Sequence, residues 1–297
     1  MSVNGSVVRA GAYRSWKGWH LWTALLLATA GAWMVRDALV DIVRVGFTNE
    51  EASHILLAPI IIAWLVWARR YRFRYTQQYG TWIGPVVVAI GWLFYAVGYM
   101  YWIQVFWHFG ALLVVTGCLL SIWGMDVVRR FLPAFVAMGF LLPVPGIVRQ
   151  QIGIPMQSIT AEWTRVMTEV IGFEVVRNGN QLLVNDMPVN VAEACNGMRM
   201  VFTLFLVSFT HAFTQPLRNS VRFLLLLASP LAAIFFNVVR LIPTVLLFGY
   251  ADHATAELFH EYAGWAMLVV AFLCLMGLIA LLRWALVPVQ KFTLAYA

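Results

Sequence analysis

The stretch VRFLLLLASPLAAIFFNVVRLIPTVLLF, residues 221–248, decides the fold class of this chain. Only two of its residues, Arg222 and Arg240, are charged. At 1.5 Å per residue, a helix of this length crosses a hydrocarbon core of about 30 Å. The sequence therefore predicts a transmembrane helix here.

Similar apolar segments recur along the chain and predict a polytopic membrane protein. Of the 297 residues, 62% are hydrophobic and 11% are charged, whereas a soluble domain carries about 25% charged residues on average. Fourteen tryptophans suit the aromatic belts of membrane interfaces. No internal repeat or linker is evident, so residues 1–297 are predicted to form one membrane domain. We predict an all-α fold with about eight transmembrane helices, at 19–35, 54–68, 81–100, 103–124, 131–147, 196–213, 221–248 and 263–284.

Short clusters of basic residues between these segments indicate their orientation. Lysine and arginine in short loops are retained on the cytoplasmic side. With the N-terminus inside, every cluster is cytoplasmic, whereas the reverse orientation would translocate RRYRFRY at 69–75. We therefore predict an integral protein of the cytoplasmic (inner) membrane with both termini in the cytoplasm. Because the net charge of +7 is spread over these loops, we expect membrane lipids and no nucleic acid as partners.

The longest loop predicted outside the cytoplasm, residues 148–195, carries structural signals of its own. Apolar residues recur at three- and four-residue spacing between Ile154 and Val170, which favours an amphipathic helix on the outer interface. The run EVVRNGNQLLV then places two β-prone segments around Asn178-Gly179, which predicts a hairpin, and PVNVAEA continues as an extended piece. We expect this small extracytoplasmic cap to lead into the sixth helix.

Cys195 lies in VAEACNGMRM, where the cap becomes a helix. A helix N-terminus lowers the pKa of a thiol and offers N–H groups that hold an oxyanion. Gly197 permits close approach by a substrate, and Arg199 projects from the same helix face as the cysteine. Cys195 is therefore a candidate nucleophile, with a structural cysteine as the alternative. Cys118 and Cys274 lie mid-helix among apolar residues and are predicted to be structural.

Arg240 and His260 are predicted to lie on the same side of the membrane as Cys195. Arg240, in FFNVVRLIPTV, is about 27 Å along its helix from the cytoplasmic end, far enough to reach the outer interface. An arginine in an apolar helix indicates function, or a structural ion pair with a carboxylate such as Glu193 or Asp252. His260, in LFHEYAGWAM, suits a general base for a thiol and an acid for a leaving amine.

Two more polar residues on that side, His54 in EEASHILLAP and Glu193, are candidates to orient a partner or a substrate. HExxH, P-loop and GxGxxG motifs are all absent from the sequence, so metal and nucleotide sites have no support and no cofactor is expected.

The motifs VAEACNGMRM, FFNVVRL and FHEYAGW, in this order on successive helices, resemble those of the exosortase/archaeosortase family. SHILLAP near residue 54 and FLLPVP at 140–145 extend the likeness over most of the chain. By this resemblance Cys195 corresponds to the family nucleophile, Arg240 to its arginine and His260 to its histidine. The family commonly has serine directly after the cysteine, where this chain has asparagine, which still caps a helix. The candidate supporting residues are Glu193, Asn196, Arg199, Asn237 and His54.

The resemblance implies a membrane-embedded cysteine protease/transpeptidase. Its substrates would be exported proteins tethered by a C-terminal sorting signal: a short motif, a transmembrane helix and a basic tail. The cysteine would form a thioester, which an acceptor not identified by the sequence, or water, would release. Two other interpretations stay open: a transporter or channel with Arg240, Glu193 and His54 along its path, and a non-catalytic envelope assembly factor.

Overall fold

The computed structural model describes residues 18–76, 82–185, 187–190 and 197–285, which are mainly helical with one small sheet. The α-helices are α1 Gly18–Met34, α2 Arg36–Thr48, α3 His54–Ala68, α4 Ile83–Met100, α5 Gln104–Arg130, α6 Leu132–Met138, α7 Gly146–Ile171, α8 Gly197–Thr214, α9 Asn219–Tyr250 and α10 His253–Trp284. Short 3-10 helices lie at Glu50–Ala52, Arg70–Tyr75 and Gly139–Leu141. The strands are β1 Val175–Asn178, β2 Gln181–Val184 and β3 Met187–Asn190.

Six segments within these ranges are long and apolar enough to cross a membrane: Glu50–Ala68, α4, α5, α8, α9 and His253–Leu282. A seventh is counted if Leu132–Leu141 and Gly146–Ile171 form one broken span. The 17 residues of α1 give about 25 Å of helix, less than a hydrocarbon core of about 30 Å. The protein is therefore helical and polytopic, and the predicted count of eight spans is not confirmed.

The predicted continuous helix at 131–147 is broken in the structure. Pro143 and Pro145 have no backbone N–H, and a residue that precedes proline avoids the helical region. Leu142 is accordingly extended, with φ −78° and ψ 123°. The chain then turns into α7, which contains the amphipathic stretch predicted between Ile154 and Val170.

The two faces of α7 differ in the size and polarity of their side chains. The buried face carries small or hydroxyl-bearing residues, which are Gly153, Thr160, Ala161, Thr164 and Thr168. The exposed face carries large apolar residues, among them Ile147, Ile154, Trp163 and Val170. Small residues let a helix lie close to its neighbours, and an exposed apolar face suits lipid. The helix ends at Gly172, whose φ of 103° favours glycine.

The chain divides into two compact units, the first comprising Met1–Ile42 and Val66–Leu142. Within it, α4 and α5 form a close antiparallel pair in which Gly98 lies against the backbone of Trp107. α5 changes direction at Gly124, where φ is 72° and ψ is 173°. The first unit also contains a polar pair, in which Nε2 of the buried His108 lies 3.0 Å from Oδ2 of the partly exposed Asp41.

The second unit comprises Val43–Leu65 and Pro143–Ala297. Its main core lies among α8, α9 and α10 and includes Leu204, Leu225, Ala233, Ala271 and Leu275. A second cluster joins the sheet to α7 and α9 and includes Ala161, Leu182, Val184, Leu241 and Val245. The sheet therefore rests on the same helix, α9, that carries Arg240.

The sheet is antiparallel in the order β1-β2-β3. Asn178 pairs with Gln181 across the first turn, and Leu182 pairs with Val189 in the second hairpin. Arg177 joins β1 to α7, since its Nη1 donates to Glu162 Oε2 at 2.8 Å and its Nη2 to Ser158 Oγ at 2.7 Å. The sheet is thereby held on both α7 and α9.

Gly249 near the end of α9 lies directly against β2. A Cβ placed on it would be 2.6 Å from Val184 Cγ1 and 3.1 Å from the Val184 carbonyl oxygen. We expect Gly249→Ala to destabilise the protein by roughly 1–3 kcal/mol, the usual cost of overpacking, measured as a lower midpoint of unfolding in detergent. Gly277→Ala is the matched control because its Cβ would meet nothing within 4 Å. Equal midpoints for both variants would contradict this packing.

Candidate functional site

The site lies where the N-terminal ends of α3, α8 and α10 meet the C-terminal part of α9. His54 begins α3, Arg199 follows Gly197 at the start of α8, and His260 lies in the first turns of α10. Arg240 is in the last third of α9. Because these four helices belong to one compact unit and pack around a shared cavity, their polar residues lie at one end of it.

Two arginines converge on one glycine. A Cβ on Gly264 of α10 would lie 2.8 Å from Arg240 Nη1 and 3.5 Å from Arg199 Nη2. Arg240 is 3% exposed, and a buried charge of this kind is costly and indicates function. Glycine at 264 thus makes room for both guanidinium groups, and the buried positive charge of Arg240 favours an anion or a developing oxyanion.

Arg199 is held by an acid and an aromatic ring. Its Nη1 lies 3.5 Å from Glu50 Oε2, and its guanidinium carbon lies 5.8 Å from the centre of the Trp265 ring. Glu50 belongs to the short 3-10 helix before α3, and its side chain is largely exposed. Arg199 therefore lies between α10 and the start of the α3 span.

His260 lies within reach of these charges. It lies one helical turn before Gly264 on α10, the glycine that both guanidinium groups approach. Its Nδ1 atom is buried and has no hydrogen-bond partner among the described residues. A buried ring nitrogen without a partner costs free energy and is retained chiefly where it has a function.

His54 is 2% exposed and lines the cavity. Its Nδ1 lies 3.2 Å from the Glu51 carbonyl oxygen, which only accepts hydrogen bonds, so Nδ1 carries the proton and Nε2 is the acceptor in the neutral ring. The ring also stacks on Phe202 of α8, with 4.8 Å between ring centres. These contacts fix the orientation of the imidazole.

Asn237 lies beside the first residue of α8. A Cβ on Gly197 would be 2.9 Å from Asn237 Nδ2 and 3.3 Å from Met156 Cε. Asn237 is 2% exposed. The amide of α9 and the methionine of α7 therefore both adjoin the point where α8 begins.

Three predicted site residues, Cys195, Glu193 and Asn196, lie outside the described residues. Asp252, suggested as one possible partner of Arg240, caps α10: the hydroxyl and the backbone N–H of Thr255 donate to it at 2.7 Å and 3.0 Å. These hydrogen bonds, chiefly that from the hydroxyl, lower the pKa of the Asp252 carboxyl.

The cavity has a volume of about 480 Å³. One end is polar, with Arg199, Arg240, His54 and Glu50, and its remaining lining is mainly apolar. Apolar members include Phe47, Leu57, Ile60, Trp265 and Leu268. Across the described ranges, no group of three or more His, Cys, Asp or Glu side chains is arranged to hold a metal ion.

Sequence reasoning did not single out Glu50, Gly264 or Trp265. Glu50 stands in an acidic pair directly before an apolar helix, a detectable signal, since acids are favoured at helix N-termini. Gly264 and Trp265 lie inside the FHEYAGW motif, but only their contacts with the two arginines reveal a role for them.

A family model described as transmembrane exosortase (Exosortase_EpsH) matches residues 44–277. Comparisons with curated proteins and with solved structures find no match. The matched range covers most of the chain and contains each of the helix ends that form the cavity. The chain therefore belongs to the transmembrane exosortase family.

Proposed function

We propose that this protein is a membrane-embedded cysteine protease/transpeptidase that cleaves the C-terminal sorting signal of exported, membrane-tethered proteins and transfers them to an acceptor. The observation that carries the proposal is the convergence of Arg240, Arg199 and His260 at the beginning of α8. Family membership supports the general type of activity.

Chain connectivity links Cys195 to this group of side chains. Consecutive Cα atoms are 3.8 Å apart, so a residue two positions before Gly197 stays within about 7.6 Å of it. Gly197 itself adjoins Asn237 on α9, one helical turn before Arg240. This connectivity supports Cys195 as the nucleophile of the proposal.

In the proposed reaction the Cys195 thiolate attacks the scissile carbonyl carbon. Arg240, buried and positively charged, stabilises the thiolate and then the oxyanion, where a positioned cation has its largest effect. His260 gives a proton to the leaving amine and later takes one from the acceptor. Arg199, paired with Glu50, lies beside Arg240 at Gly264, and Asn237 supports the start of α8.

The shape of the cavity supports a substrate that arrives through the membrane. Phe47, Ile60 and Trp265 line it and are 75%, 66% and 61% exposed. Such apolar side chains at the mouth of a cavity suit contact with a hydrophobic helix. A sorting-signal helix lying there would bring the motif that precedes it to the polar end.

The proposed topology follows from the basic loops. We propose the cytoplasmic (inner) membrane, cytoplasmic termini and an extracytoplasmic site, since reversal would carry the arginine-rich segment at 69–75 across the membrane. A basic tail on the substrate would stay in the cytoplasm for the same reason.

The proposal is tested by co-expression with an exported domain that carries a C-terminal transmembrane helix and a basic tail. We expect mass spectrometry to find the domain without its helix only when the enzyme is present. The matched control anchors the same domain by an N-terminal helix and should stay intact. An uncut precursor, together with solute flux in proteoliposomes of the purified protein, would favour a transporter instead.

Gly264 offers a test of the arginine geometry. Alanine at this position would place a Cβ 2.8 Å from Arg240 Nη1 and displace the guanidinium, whose flexible end can move. A displacement of about 1 Å at a catalytic group costs up to about 10²-fold in rate. We expect Gly264→Ala to lower precursor trimming by about 10- to 100-fold with an unchanged melting midpoint. Gly277→Ala on the same helix should trim normally, and equal rates for the two variants would refute this role of Gly264.

A further inference from the structure

A second cavity, also of about 480 Å³, lies beside the first. The end of α2, the 3-10 helix Glu50–Ala52 and the first half of α7 form its walls. Its lining is polar and includes Thr48, Asn49, Glu50, Arg149, Gln150 and Gln157. This polar cavity is unlike the first one, whose lining is mainly apolar.

The polar cavity adjoins the proposed reaction site at two points. Glu50 lines both cavities and lies 3.5 Å from Arg199. Gly153 of α7 also lines the polar cavity, and a Cβ on it would be 3.2 Å from the sulfur of Met198, the second residue of α8. A ligand in the polar cavity would therefore lie close to the residues that follow Cys195.

The charges in the polar cavity are balanced in pairs. Glu51 Oε2 lies 3.2 Å from Arg149 Nε, and Glu50 faces Arg199. The balance leaves no excess charge to select an ion. The remaining groups are the side-chain amides of Asn49, Gln150 and Gln157 and the hydroxyl of Thr48. Asn49 Oδ1 accepts from the Glu51 N–H, Gln157 Oε1 accepts from Asn180 Nδ2, and the Thr48 hydroxyl donates to the Arg44 carbonyl. The amide N–H groups, the Gln150 carbonyl and the Thr48 oxygen can still donate or accept, and this mixture of donors and acceptors matches neutral hydroxyl groups.

We infer that the polar cavity binds the acceptor of the transfer reaction, and that the acceptor is a neutral polyhydroxyl group, as in a saccharide or a glycolipid headgroup. The inference rests on the proposed function. An acceptor hydroxyl oxygen forms a bond to the acyl carbon, and the carbon–sulfur bond breaks. The Cys195 sulfur leaves as thiolate, and His260 takes the hydroxyl proton. The product is an ester of the trimmed protein.

The test measures how one thioester divides between transfer and hydrolysis. The full chain is reconstituted in phosphatidylcholine vesicles with a tethered precursor. Three probes are compared: soluble maltotriose, glucosyl-diacylglycerol in the vesicles, and glycylglycinamide as a primary amine. We expect the yield of ester with a sugar probe to exceed the yield of amide with glycylglycinamide. A higher yield with maltotriose would indicate a soluble acceptor, and a higher yield with glucosyl-diacylglycerol would indicate a lipid acceptor.

Gln150 gives the matched pair of variants. Gln150→Leu removes hydrogen bonds from the lining at nearly constant size, and we expect the ratio of ester to hydrolysis product to fall about tenfold, the effect of one or two hydrogen bonds. Gln151→Leu changes the next residue, which is exposed like Gln150 but is not part of the lining, and should keep the wild-type ratio. Because both products arise from the same thioester, the ratio is independent of folded yield.

The other possible results separate a failure of the acceptor inference from a failure of the proposed function. Hydrolysis without any sugar ester, a preference for the amine, or an equal ratio in both glutamine variants would overturn the acceptor inference while leaving cleavage standing. A wild-type protein that forms neither the ester nor the hydrolysed product would contradict the proposed function, and the acceptor inference with it.

Discussion

Replacement of Cys195 by alanine is expected to abolish trimming of a tethered precursor, with a loss of at least about 10⁴-fold in rate. Removal of the nucleophile from a cysteine or serine acyl transferase leaves only the modest effect of binding and of the oxyanion site. Quantitative mass spectrometry of precursor and product checks the loss, and immunoblotting checks that the variant accumulates in the membrane.

The chain provides its own controls for this substitution. Cys118 is buried in α5, and Cys274 is exposed on α10. Neither lines the cavity. Cys118→Ala and Cys274→Ala should therefore trim at close to the wild-type rate. Trimming by Cys195→Ala at the rate of these controls would show that the thiol is not the nucleophile and would favour the scaffold interpretation.

Substitution of Arg240 is expected to have the second largest effect. Arg240→Met keeps an unbranched side chain but removes the charge and the hydrogen-bond donors, and loss of one donor to an oxyanion costs about 10²- to 10³-fold in kcat. Arg240→Lys keeps the charge but loses the planar fork of donors, so we expect partial recovery. Single-turnover trimming rates separate the two variants.

The order of the trimming rates of wild type, Arg240→Lys and Arg240→Met shows whether the charge of Arg240 acts in the reaction. If Arg240 acts on developing negative charge, the rates should rank arginine, then lysine, then methionine, with KM nearly constant. Equal rates for all three proteins would contradict a role in the reaction. A fall of the melting midpoint in both variants, with the surviving folded fraction fully active, would instead assign Arg240 to stability.

Apolar segment lengths and polar motifs together predicted much of the helical architecture. An arginine in an apolar helix is conspicuous in sequence, and the hairpin signal at Asn178-Gly179 coincides with the turn between β1 and β2. Both signals are local. A strand or a helix can be recognised from its own residues alone, because periodicity and turn chemistry act over a few positions.

Features that depend on several segments were not predicted. The break at Leu142 is a different kind of miss, because its cause is local: Pro143 and Pro145 outweigh the hydropathy of residues 131–147. The convergence of two guanidinium groups on Gly264 requires three helices to pack together. The paired charges at Glu50 and Glu51 became meaningful only once α7 and α8 were placed beside them. Single-sequence reasoning has no access to such tertiary contacts.

The most direct test of the account is a single-turnover reaction with radiolabelled precursor, quenched in acid at successive times and followed by peptide mapping of the enzyme. The account predicts label on the enzyme that appears before free product, maps to Cys195 and is released by neutral hydroxylamine, as a thioester is. Complete trimming with label on a different residue, or with no labelled enzyme at any time, would contradict it.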